Sequence, residues 1–257
     1  MSLGQRLTVR NHRGAPVPAL LGLVLVAGGA IAVAGAVLSG WVDAAGAVAS
    51  GAALMVAVAG FVDDLAPEAP AGPRGLRGHM AALAHGQVTT GVLKLVVITG
   101  ASLATVAASA RSGGLVRVSG VCLIAASTNL WNGLDVRPGR ALKWFLLVCA
   151  TGVAWAPHVG PFVVGVGVAA LVVLIPDLRE RAMLGDTGAN LLGFTAGAAL
   201  YDRSPLSWVP YEAAAMVILN ILADTVSLTR IIDAAPLLRW FDRIGTLPPD
   251  DGEETGA

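Results

Sequence analysis

The chain has 257 residues, of which 55% are hydrophobic and 13% charged, and its formal net charge is zero. A mean hydropathy of +0.72 excludes a soluble globular domain of this length. The balanced charge, without a basic tract, gives no sign of a nucleic-acid partner. What remains is an all-α, polytopic membrane protein.

An N-terminal segment, residues 1–15, carries Arg6, Arg10 and Arg13 ahead of the first apolar run. Small residues at Ala34-Gly35-Ala36 imitate a secretory leader, but further apolar runs follow at once, so a retained first membrane helix is expected. Apolar runs fall at about 17–38, 44–62, 88–110, 115–131, 141–156, 160–176, 188–201 and 206–229. A span takes roughly 20 residues, so the pattern predicts about eight transmembrane helices in one domain over 16–232. The run at 188–201 also suits a buried or re-entrant segment, and its Gly193 and Gly197 have the spacing of close helix packing. Residues 233–257 form a tail that ends acidic and Gly-containing, the composition of a partly disordered segment.

With the N-terminus inside, fourteen of the 17 basic residues fall in cytoplasmic segments, and only Arg111, Arg117 and Arg203 fall outside. The excess of positive charge sets both termini in the cytoplasm. It also puts Asp63-Asp64, Asp135 and Asp186 at one face of the bilayer.

Carboxylates near hydrocarbon need an exit to water or a function. Asn129, Asn132 and Asp135 recur every third residue at the end of an apolar run and are expected to form one polar stripe, after which Pro138-Gly139 ends the helix. Asp186 sits in Leu184-Gly185-Asp186-Thr187-Gly188, where the glycines permit close approach. Asp63 and Asp64 point about 100° apart on a helix, so one faces the reacting atoms and the other supports it. Hard oxygen ligands beside arginines suit magnesium completed by substrate phosphates. Arg74, Arg77, Arg137 and Arg140 read as a basic funnel for those phosphates or as anchors on anionic lipid. His12, His79, His85 and His158 lack metal-ligand spacing. Asn220 and Asp224, one turn apart, either reach the interface or wall the same site. Cys122 and Cys149 lie in apolar runs as small hydrophobes. Lysine occurs only at 94 and 143, and neither is assigned a role.

Five segments in order, Asn11-His-Arg13-Gly14-Ala-Pro-Val-Pro18, Phe61-Val-Asp63-Asp64, Asn129-x-x-Asn132-x-x-Asp135, Leu184-Gly185-Asp186-Thr187-Gly188 and Asp224-Thr225-Val-Ser227, resemble the polyprenyl-phosphate N-acetylhexosamine-1-phosphate transferase family. The resemblance covers roughly residues 11–230. It implies transfer of a sugar 1-phosphate from a UDP-sugar to a polyprenyl phosphate, with release of UMP and dependence on Mg2+, in a bacterial plasma membrane. By motif position Asn132 and Asp186 would hold the metal, and Asp63 would be the base or orienter for the lipid phosphate with Asp64 beside it. Asn129 and Asp135 would line the nucleotide and diphosphate site.

The chain departs from the family pattern in three places. No basic residue follows Asp63-Asp64 closely, and Arg74 or Arg77 would have to substitute. Pro138 replaces a further aspartate, and after Arg230 there is no counterpart of the family's histidine-rich loop. The alternatives are a non-catalytic relative that binds lipid phosphate or scaffolds an envelope assembly, and a transporter, for which paired broken repeats are lacking. UDP-sugar, polyprenyl phosphate and membrane lipid are the partners expected, and a homo-oligomer is compatible with the sequence.

Overall fold

The computed structural model describes residues 7–66, 78, 81–82, 84–87, 89–111, 113–152 and 155–248. Among the described residues two short antiparallel strands, β1 (Thr8–Arg10) and β2 (Pro16–Pro18), precede ten named helices: α1 (Leu21–Leu38), α2 (Ala44–Asp64), α3 (Thr90–Ala108), α4 (Gly114–Leu134), α5 (Arg140–Ala150), α6 (Gly160–Leu178), α7 (Gly185–Arg203), α8 (Val209–Thr225), α9 (Leu228–Ala234) and α10 (Pro236–Arg243). The architecture is all-α, as the apolar runs predict.

Among the described residues five helices, α1 to α4 and α6, are long and apolar enough to cross a membrane. The count is six if α8 and α9, bent by 98° at their break, form one span. These are the marks of a multi-pass membrane protein, and length and apolarity alone pick out five or six of the predicted eight segments as spans, for two physical reasons. With 11 residues, α5 rises only about 16 Å, half of a hydrocarbon core. Helix α7 is long enough, yet it carries Asp186, Asn190, Asp202 and Arg203 and does not meet the apolarity that lipid demands. Protein takes the place of lipid around it. From Thr187 to Ala199 every residue of α7 is buried, and its neighbours are α1 to α6.

Glycines set how closely those neighbours come. A Cβ at Gly193 would lie 2.7 Å from the Ser127 carbonyl oxygen and the Thr128 Cα of α4, and one at Gly197 would lie 2.9 Å from the Ile124 Cα. The Ser127 hydroxyl donates across this seam to the Gly193 carbonyl at 2.9 Å. On the other side, a Cβ at Gly60 would meet the Asp186 carbonyl oxygen at 2.5 Å, so Gly60 lets the end of α2 press against the start of α7. Close approach of backbones is what small residues give to helices in membranes.

The hairpin and the helix ends define one polar face. Asn11 closes the β1–β2 turn by accepting from the Arg13 and Ala15 amides, and its own amide donates to Glu180 at 2.7 Å. Met183 N–H donates to the Pro18 carbonyl, fixing the strand exit beside the start of α7. Between α4 and α5 the chain turns on Gly139 (φ 72°), whose N–H donates to Asp177 at the end of α6 at 2.6 Å. The opposite end of the bundle gathers Asp43, the N-cap of α2, with His158, Asp202 and Arg111.

Candidate functional site

Three helix ends meet at the polar face: the C-terminus of α2 and the N-termini of α3 and α7. Lys94, in the second turn of α3, places its Nζ 2.8 Å from Asp63 Oδ2 and 2.5 Å from Asp186 Oδ2. The ammonium therefore bridges carboxylates 123 residues apart in sequence. All three side chains keep some exposure, with Asp186 the most open at 30%.

Asp64 is used differently. It accepts from the Asp186 N–H at 2.7 Å, the Thr187 N–H at 3.0 Å and the Thr187 hydroxyl at 2.6 Å. It thus caps α7 from a neighbouring helix, satisfying orphan amides where the helix dipole favours an anion. Gly185 makes this possible: its φ of 66° suits glycine, and a Cβ there would lie 2.8 Å from the Asp64 carboxylate. The space beside Gly185 is thus filled by Asp64.

Asp135 caps the end of α4 with non-helical dihedrals. Burial, together with the nearby charges of Asp177, Asp186 and Asp64, holds its carboxyl well above the ordinary carboxylate range, although part of the residue still reaches solvent. The predicted stripe of Asn129, Asn132 and Asp135 does not stay on one line. Each three-residue step lags the helix by about 60°, so Asn129 and Asp135 end about 120° apart. Asn129 turns to α8, donating from Nδ2 to Asn220 Oδ1 at 2.6 Å. Asn220 in turn donates to the Ala126 and Met216 carbonyls at 2.8 Å. Asn132 lines the same cleft, about 340 Å³ in volume, with Asn220, Asp224 and Ser227. Asp135 belongs instead with the carboxylates.

The arginines part company too. Arg140 is 0% exposed, and its Nε and Nη2 donate to both oxygens of Asp242 at 2.7 and 2.8 Å while Nη1 donates to Thr229 at 2.9 Å. A guanidinium so enclosed holds α10 in place and cannot reach a substrate, which corrects its expected binding role. Arg137 stays about one-third exposed, with loose contacts of 3.5 Å to Asp233 and 3.9 Å to Asp242. It lines a cleft of about 580 Å³ with His12, Arg13, Arg243 and Thr246. Arg74, Arg77 and His79 lie outside the described residues.

Lys94 and Asn190 escape a reading by sequence. Lys94 stands out only as one of two lysines, at the edge of an apolar run. Asn190 lies one turn beyond Asp186 on the stripe that continues through Gly193 and Gly197 towards α4. It is 1% exposed, and neither polar atom of its side chain has a partner. An amide orphaned in this way calls for a water or ligand. Among the described residues no three His, Cys, Asp or Glu side chains are grouped to hold a metal. Magnesium, however, commonly takes one or two carboxylates and completes its shell with phosphates and water. Asp63 and Asp186, already facing one cationic nitrogen, fit that use, and the unpaired amide of Asn190 suits an ordered water behind them.

No family model matches this chain, and no curated protein or solved structure matches it either.

Proposed function

We propose that the chain is a magnesium-dependent phosphotransferase of a bacterial plasma membrane, moving an N-acetylhexosamine 1-phosphate from a UDP-sugar to a polyprenyl phosphate. A lipid phosphate oxygen forms a bond to the sugar-linked phosphorus, the diphosphate P–O bond breaks, and UMP leaves. The observation that carries this reading is the Asp63–Lys94–Asp186 cluster, which joins separate motif segments at one end of the bundle. We further propose that this end is cytoplasmic, with both termini on that side and all eight segments from α1 to α8 in the bilayer.

Little covalent chemistry is asked of the protein in such a transfer, so positioning and charge carry it. Bound magnesium would neutralise the diphosphate, held by Asp186 and Asp63 with Asn132 as the further ligand that the family resemblance implies. Lys94 supplies a second positive charge at the same point, and Asp63 orients the lipid phosphate. Asp64 keeps the N-terminus of α7 aimed at the anion. Asn129 and Asn220 wall the cleft next to lipid, and Arg137 faces the larger cleft on the nucleotide side.

A second reading, a lipid-phosphate-binding protein without turnover, is favoured by one feature: Lys94 already occupies an oxygen of each of the two carboxylates. The deciding experiment incubates purified protein with polyprenyl phosphate, magnesium and a panel of UDP-sugars and measures UMP. Release with one sugar supports the transferase. Silence with every sugar leaves the binding protein.

A further inference from the structure

The last helix, α10, has two faces of opposite use. Inward, Asp242 is gripped by the buried Arg140, and Lys143 donates to the carbonyls of Phe241, Asp242 and Ile244. Phe241 packs edge-on against Trp144, ring centroids 5.2 Å apart. Outward, Leu237 is 72% exposed and Trp240 64%, large apolar side chains at positions i and i+3, and Ile244 at the C-cap adds a third at 43%. Arg239 and Arg243, both exposed, flank them.

A surface of this kind costs free energy in water and nothing within the described fold covers it. We propose that α10 is an interfacial helix, its outward face lying in the headgroup region of an anionic phospholipid leaflet on the side of the Asp63–Lys94–Asp186 cluster. Three observations choose lipid as the occupant. The 98° bend between α8 and α9 takes the chain out of the line of the last span just before α10 begins. The helix docks at the first turn of α5, and Gly245 just after it lies beside Leu178, the end of α6, where that span leaves hydrocarbon. Finally, a ring-bearing apolar strip edged by arginines is the composition that settles at the boundary of acyl chains and anionic headgroups. Trp240 offers an amphipathic ring at that depth, and each arginine near an anionic surface strengthens binding about fivefold.

One consequence reaches the larger cleft. Asp242 and Arg243 both line it, so lipid that holds α10 down also holds that wall. The inference concerns this surface alone and stands whether or not the protein is a transferase.

Spin labels test it. Leu237→Cys and Trp240→Cys, each in a Cys122→Ala, Cys149→Ala background, are labelled and placed in nanodiscs of phosphatidylglycerol or of phosphatidylcholine. Collision with oxygen and with a water-soluble nickel chelate reads depth, calibrated by Ile218→Cys on the exposed side of α8 and Ser39→Cys in the loop after α1. In phosphatidylglycerol both α10 labels should fall between the two references. In phosphatidylcholine, or with Arg239→Gln and Arg243→Gln together, they should shift towards the Ser39 value, corresponding to at least about a fivefold loss of docking. Water-like values in phosphatidylglycerol would overturn the proposal, as would equal depth in both lipids. Labels shielded from both reagents would replace lipid by a protein partner or a second copy.

Discussion

Arg140 grips Asp242 with two hydrogen bonds of 2.7 and 2.8 Å across 102 residues of sequence, and the guanidinium is wholly enclosed. Burial works against the charge on Asp242, but the hydrogen bonds and charge of Arg140, aided by Lys143 and Arg137, outweigh it and hold the carboxyl below its usual range. The pair is therefore fully stabilising above the ordinary carboxylate pKa of about 4 and weakens as pH falls through the lower folded value. Arg140→Ala strands a buried carboxylate and should cost about 3–5 kcal/mol, whereas Arg140→Met with Asp242→Leu should be far milder. Thermal unfolding in detergent, compared between pH 7 and pH 3, measures both. An Arg140→Ala protein as stable as wild type at pH 7 would remove the latch.

Asp63 and Asp64 are adjacent but separable. Asp64→Ala removes three hydrogen bonds that cap α7, two of them from backbone amides, and should destabilise by roughly 2–4 kcal/mol. Asp63→Asn leaves that cap intact and should change the melting temperature little while reducing UMP release at least about a hundredfold. Equal melting losses for the two variants would show that the division of labour is wrong.

Packing of α7 on α4 rests on two glycines. Gly193→Ala puts a methyl 2.7 Å from backbone atoms of α4, and backbone cannot swing away as a side chain can. Overpacking of this kind costs about 1–3 kcal/mol. Gly35→Ala, whose Cβ meets nothing within 4 Å, is the control and should be neutral. A Gly193→Ala protein that melts with the control would mean that the two helices lie farther apart.

What the sequence conveys here follows from periodicity and spacing. The long runs give α1 to α4 and α6 because hydropathy summed over a span is a strong signal. It fails for α7, where the solvent is the protein itself, and for α5, whose run at 141–156 is helical only to Ala150. Asp63, Asp64 and Asp186 are visible as costly residues at run ends. Their division into cap and cluster is not, because it depends on Gly60 and Gly185 admitting particular neighbours. Lys94 is hidden for a similar reason: nothing local distinguishes it from a boundary lysine, and its partners lie 31 and 92 residues away.

That lysine also sets the sharpest test of the metal. Lys94 and a divalent cation compete for the same two carboxylates, so removing the ammonium should change metal binding and turnover in opposite directions. Lys94→Gln should bind Mn2+, followed by its electron paramagnetic resonance in the absence of substrate, about tenfold or more tightly, while UMP release falls because a positive charge at the transferring phosphate is lost. Asp186→Asn keeps size and polarity but removes the charge that favours a cation. It should weaken Mn2+ binding and lower the rate at least about a hundredfold, with a magnesium requirement shifted to higher concentration. Both variants should remain monodisperse, since the Asp64 cap on α7 survives in each. Unaltered Mn2+ affinity in Lys94→Gln, together with wild-type magnesium dependence in Asp186→Asn, would mean that no metal uses these carboxylates, and the cluster would then be a structural ion pair joining α2, α3 and α7.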